Sequence, residues 1–172
     1  MPIWEEHSPE GLTVVQSHAI YRHLARKYAL YGATPAEQTR CDVVEESARE
    51  LMHQIGGVYW DRSATDASRR QWVLDTLAPQ LAGHAALFAQ VPGTFWVTDS
   101  VTYADLLYFS TLLTIEPLIR GEQWLAKTYP ELDAFVRAVG DLDPIKRYMA
   151  SERYPKAFTV SIAPFGNTAE TS

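Results

Sequence analysis

The chain has 172 residues, 47% of them apolar, with a formal charge of −6 and an isoelectric point near 5.3. That length holds about one domain with a real core, and the acidic balance leaves no basic face for nucleic acid or an anionic membrane. The only cysteine, Cys41, excludes an internal disulfide and suits a reducing compartment.

In chain order, "PIWE" and "LTVV" read as two short strands around the loop "EHSPEG". From Ser17 onward nearly everything reads as helix. Ile20, Leu24 and Tyr28 repeat every four residues, and Gly32 is the expected stop. A second helix starts with Thr34 as cap, Pro35 in the first turn and Glu37 closing a capping box. Val44, Ala48, Leu51, Ile55 and Val58 give its apolar face, and Gly56-Gly57 should loosen its end. The polar stretch "DRSATDAS" reads as a loop. The helix after it carries Trp72, Val73, Leu77, Leu81 and Phe88, with a kink expected at Pro79.

"DSVTYADLL" is the strongest local signal. Thr102 and Asp105 have the spacing of a reciprocal capping box, and Val101 with Leu106 that of a hydrophobic staple. "YPELDAFVRAV" and "DPIKRYMAS" supply two more helices with Pro in the first turn. Periodicity ends near Pro155, and the tail is expected to be mobile. Five to seven helices are expected. No apolar run is long enough to span a bilayer, and the acidic N-terminus has no signal-peptide core. These features read as a soluble, cytoplasmic protein. The five histidines show no metal spacing, and "EEH" reads as a solvated loop rather than a ligand set.

Three blocks, in order, resemble the cytosolic glutathione transferases. "QSHAIYRHLARKYALYG" resembles the strand–helix segment of their glutathione site. "DSVTYADLLYF" resembles the start of the central helix of their C-terminal domain. "YPELDAFVRAVGDLDPIKRYMASERY" resembles the two helices that close that domain. The resemblance runs from about Leu12 to Phe158, and the linker "KYALYG" is similar to that of the sigma, pi, mu and alpha classes. It implies a mainly α fold: an all-helical C-terminal domain over residues 33–158, preceded by a β-β-α remnant of a thioredoxin-like domain over 1–32 and followed by a tail over 159–172.

The resemblance implies glutathione as a substrate, with no metal, and a hydrophobic electrophile as the second substrate. A helix start attracts anions. The resemblance implies that Ser17 and the backbone around it bind the γ-glutamyl carboxylate, with Gln16 beside it; from the residues alone, Ser17 reads as an ordinary helix cap. Glu50 would reach the γ-glutamyl ammonium in a partner subunit's site, which implies a homodimer; alone it reads as a solvated helix charge. Tyr59 and Trp60 fall where the family lines its hydrophobic pocket, although aromatics there are more often core. Pro2 would correspond to the family's cis-proline.

The family's catalytic Tyr or Ser lies on a strand with no counterpart here, so no catalytic residue is assigned. That hydroxyl favours the thiolate of a thiol whose ordinary pKa is about 8.5. Tyr21, Tyr28 and Tyr31 lie on or after the wrong helix to replace it, and Cys41 reads as structural. Full-length relatives conjugate glutathione to electrophiles. This chain alone would be weakly active or inactive, or a non-catalytic interaction or structural module.

Overall fold

The computed structural model describes residues 2–7, 11–120, 123–155 and 157. The expected tail over 159–172 lies outside the described residues.

The chain opens with an antiparallel hairpin of β1 (Ile3–Glu5) and β2 (Thr13–Val15), in which Ile3 faces Val15 and Trp4 faces Val14. Alternation puts Trp4 and Val14 on the half-buried face and leaves Ile3, 59% exposed, on the other. Helix α1 (Ser17–Lys27) covers one side of the hairpin. It stops earlier than Gly32. Ala29 takes a positive φ of 55°, while Leu30 N–H donates to Ala25 O at 2.7 Å and Ala29 N–H to Arg26 O at 3.4 Å. This is a Schellman closure with alanine where glycine is usual. Gly32, at φ 83°, has a different task. A Cβ there would lie 2.8 Å from Glu37 Cβ, so only glycine lets the chain pass the start of the next helix.

That helix, α2 (Pro35–Trp60), is 26 residues long. Its capping box is formed: Thr34 Oγ1 accepts from Glu37 N–H at 3.2 Å, and Glu37 accepts from Thr34 N–H at 2.9 Å. It runs through Gly56-Gly57 without a break, because packing on the central helix holds both turns in place. Its buried stripe is Cys41, Glu45, Ala48, Leu51, Ile55 and Tyr59; Val44 and Val58 lie at the margin.

The last three residues of the expected loop "DRSATDAS" are helical. Thr65 and Ser68 cap each other's N–H groups at the start of α3 (Asp66–Trp72). A π-helical turn, Val73–Leu77, joins α3 to α4 (Ala78–Phe88), with Ala78 N–H bonded to Val73 O. Pro79 supplies no N–H to the ladder, and the distortion expected there takes this form.

Helix α5 (Tyr103–Leu113) is central and packs on both α2 and α8 (Pro130–Gly140). The short helices α6 (Glu116–Ile119) and α7 (Trp124–Thr128) connect them, and α9 (Asp143–Met149) follows α8. Nine α-helical segments lie among the described residues, more than periodicity suggested, because α6 and α7 are too short to show a period. The core lies between α2, the π-turn, α4, α5 and α8. Phe88, Trp96, Tyr108 and Phe135 meet there edge to face, with centroids 4.8–6.4 Å apart.

At the start of α5, Asp105 is buried. One of its oxygens accepts from Thr102 N–H at 2.8 Å and from the Thr102 hydroxyl at 2.6 Å; the other accepts from Trp96 N–H at 2.8 Å. Burial still pushes its pKa above the usual carboxylate value, although these bonds favour the ion. Among the described residues no helix is long and apolar enough to cross a membrane.

Candidate functional site: a cleft at the start of the first helix

Three helices meet around a cleft of about 450 Å³. Helix α1 contributes Ser17, His18 and Tyr21. Glu45, Arg49, Met52 and His53 come from α2, and Leu107, Ser110 and Thr111 from α5.

Ser17 is the first helical residue rather than the cap. The cap position is Gln16, whose side chain does not cap the helix. Its backbone stands at φ 73° and ψ 122°, an unusual region for a residue with a Cβ. Such strain costs of order 1–3 kcal/mol and concentrates at ligand-binding positions. The result is an α1 start with an exposed Gln16 and a half-buried Ser17, and the Gln16 side chain does not cap it.

One turn inward lies a polar network that local sequence reading does not find. Glu45 is completely buried, with 0% of its side chain exposed. Its Oε1 accepts from His18 Nδ1 and its Oε2 from an Arg22 guanidinium nitrogen. Arg22 also donates to Asp42 at 3.1 Å and to Glu46 at 3.3 Å. Asp42 takes the hydroxyls of Tyr31 at 2.8 Å and Tyr103 at 3.0 Å. Burial disfavours the Arg22 cation, but Tyr103, Glu45 and Asp42 outweigh it and hold its pKa above the ordinary value. Burial, then Asp42, pushes the Tyr31 hydroxyl up; burial does the same to Tyr103. Glu45 is the one visible clue: a carboxylate on the apolar stripe of α2, between Cys41 and Ala48.

The "EEH" stretch is not merely solvated. Glu6 accepts from Lys27 at 2.6 Å and pairs with His23 at 3.1 Å, tying the hairpin to α1. Those two bonds, Lys27's first, hold the Glu6 carboxyl below its usual pKa.

A second, largely apolar cleft of about 350 Å³ adjoins the first and shares Met52 and Ser110 with it. Leu106, Phe109, Leu113, Ile145 and Tyr148 line it. Tyr59 and Trp60 line neither cleft. Tyr59 sits on the buried stripe one turn past Ile55 and donates its hydroxyl to Thr114 O at 2.7 Å, whereas Trp60 ends α2 with 49% of its surface exposed. Glu50 lies on the exposed face of α2, away from its own chain's cleft. The Met1–Pro2 peptide bond lies outside the described residues. Burial pushes the Cys41 thiol up to about 11, so it stays protonated and chemically quiet.

Residues 49–152 match the family model for the glutathione S-transferase C-terminal domain, more than half of the chain. The chain belongs to the glutathione S-transferase family. Glutathione S-transferase Mu 4 of Mus musculus is 30% identical over 160 residues, which cover 90% of this chain and 68% of that protein. Human glutathione S-transferase P is 30% identical over 145 residues, covering 83% of this chain and 66% of that protein. The pi-class glutathione S-transferase structure of Onchocerca volvulus superposes with a TM-score of 0.70 at 28% identity, over 80% of this chain and 64% of that one. The chain thus spans about two thirds of the length of these relatives. The helical body with its small two-stranded sheet is the transferase C-terminal fold preceded by a thioredoxin-like remnant.

Proposed function

We propose that the Ser17 cleft holds the γ-glutamyl end of glutathione, in a protein that conjugates glutathione thiolate to hydrophobic electrophiles. The observation that carries this reading is the start of α1, which the Gln16 side chain does not cap, with Ser17 in it, opening on a cleft of mixed polar and apolar lining that adjoins an apolar one. The positive end of the helix and a hydroxyl donor suit a carboxylate. Gln16 borders the same ligand, and the apolar cleft takes the electrophile. These residues bind and orient; the hydroxyls of Tyr31 and Tyr103 are committed to Asp42, so neither is free to ionise a thiol. The chain by itself is expected to conjugate weakly or not at all.

Titration calorimetry of glutathione against the chain and Ser17→Ala tests this. Losing the hydrogen bond to a charged group weakens binding by about 1–3 kcal/mol. Equal affinities overturn the reading.

The protein acts as a homodimer, with Glu50 of one subunit contacting the ligand in the other. Support comes from the exposed Glu50 and from apolar Val43 and Leu87, each about 60% exposed on α2 and α4. Light scattering across a concentration series is expected to give twice the 19.4 kDa chain mass. A monomer throughout removes the Glu50 role.

A further inference from the structure

The Ser17 cleft contains a histidine that the reading above leaves unused. His18 follows Ser17 directly, lines the same cleft, and keeps 40% of its side chain exposed while its Nδ1 is bound to buried Glu45. A carboxylate can only accept, so Nδ1 carries the proton in that bond. This fixes the tautomer and the ring orientation, and no other hydrogen bond of the ring occurs among the described residues. Nε2 is left as the nitrogen available to a ligand. In the neutral ring it is an acceptor; in the imidazolium it is an N–H donor with a positive charge beside it.

We propose that His18, held by Glu45, is a second anion-binding donor of this cleft, which grips the α-carboxylate of a γ-glutamyl ligand in its imidazolium form. This rests on the reading of the cleft as a glutathione site. Glu45 acts through His18 and is a positioning residue. Arg22 holds the other Glu45 oxygen, so the carboxylate is anchored from two sides and does not swing with the ring. The remaining charged groups near the ring are Arg49 and His53 on α2, with Asp42 and Glu46 behind Arg22; Tyr21 lies edge-on at 5.8 Å on α1. The α5 wall, Leu107, Ser110 and Thr111, adds no charge. Ser17 and the helix start are insensitive to pH, whereas a contact made by an imidazolium is not, so the pH dependence of binding separates the two.

Calorimetric titration of the whole chain with glutathione between about pH 5.5 and 8.5 tests this, with the imidazole signals followed by NMR. In the native protein the affinity falls about tenfold across the series, the value of one charge-assisted hydrogen bond. His18→Gln weakens binding about tenfold at the acid end and flattens the profile. Glu45→Gln leaves His18 in place and shifts the profile without flattening it. An unchanged profile in His18→Gln overturns the proposal and leaves the glutathione reading intact. If glutathione does not bind but free glutamate moves the His18 signals, the anion role stands and the glutathione reading falls. If neither ligand acts, both fall.

Discussion

On the bundle side, α2, α5 and α8 bury Leu51, Ile55, Leu112, Phe135 and Val139 against one another almost completely. On the other side, the hairpin and α1 bury only Ile20 and Ala25 among their described apolar residues, while Ile3, Leu12 and Val15 stay exposed. Glu6 ties the hairpin to α1 through Lys27 and His23, and α1 meets the bundle both through a small apolar cluster around Ala25, Tyr31, Cys41, Tyr103 and Ala104 and through Arg22 and His18 on Glu45 and Asp42. Full burial of a large apolar side chain is worth about 1.5–3 kcal/mol, and the bundle has many such side chains where the hairpin and α1 have few. The bundle is therefore the stable body and α1 the adjustable part. The candidate site lies where they meet, on the side with the smaller local stability.

The largest effect is expected inside the bundle. Asp105→Ala strands the Trp96 N–H together with the N–H and hydroxyl of Thr102, all held by one buried carboxylate. Each orphaned donor costs about 1–3 kcal/mol, offset in part by removing a charge that burial disfavours, for a net loss of roughly 3 kcal/mol. Thr102→Ala costs less, about 1–2 kcal/mol. The double variant falls short of the sum, because both residues serve one cap. Denaturant melts measure all three. Additive losses would mean that Asp105 acts without Thr102, and a small loss for Asp105→Ala would mean that the cap does not hold the bundle.

Acid should separate the two regions. Glu6, held low chiefly by its Lys27 bond, and Glu46, held low chiefly by Arg49, contribute stability that is present above the ordinary carboxylate range and lost as pH falls through their lowered values. Glu6 belongs to the hairpin–α1 region, and Glu46, whose chief partner Arg49 is on α2 itself, also takes Arg22 of α1. Asp105 works in the opposite sense. Its raised value means that the folded bundle binds the proton more tightly than the unfolded chain, so ionising it costs stability and acidification relieves that cost. Amide exchange at about pH 6 and pH 4, corrected for the intrinsic rate, is expected to show α1 losing protection before α5. Equal loss in both would show that the joint is not the weaker part.

The bundle was largely legible because its signals are local. The capping boxes at Thr34 and Thr102 and the apolar stripes of α2 and α5 each occupy one stretch of chain. Helices α6 and α7 were not legible, being four and five residues long. In the site, Ser17 stood out because it opens a helix after a strand. The His18–Glu45–Arg22 network did not, because its members are 27 and 23 residues apart and meet only when α1 docks on α2. Tyr59 and Trp60 show the converse: adjacent residues in one helix face opposite environments, and only the packing of α2 decides which is core.

The smallest effect concerns the far end of α2, where the bundle accepts two consecutive glycines in a continuous helix. A Cβ on Gly57 would meet nothing within 4 Å, and its φ is not in the positive range. Alanine there fits the native backbone while narrowing the unfolded chain's freedom, so Gly57→Ala should raise stability by about 0.4–1 kcal/mol. The gain should appear in the bundle melt and leave glutathione binding unchanged, because Gly57 lies outside the Ser17 cleft. If the substitution destabilises, the helix at this point needs the freedom of glycine, and α2 is then less uniformly rigid than its packing on α5 implies. A gain in stability with altered binding would place the glycine pair among the elements that tune the cleft from a distance, and the division between a rigid body and an adjustable α1 would have to be redrawn.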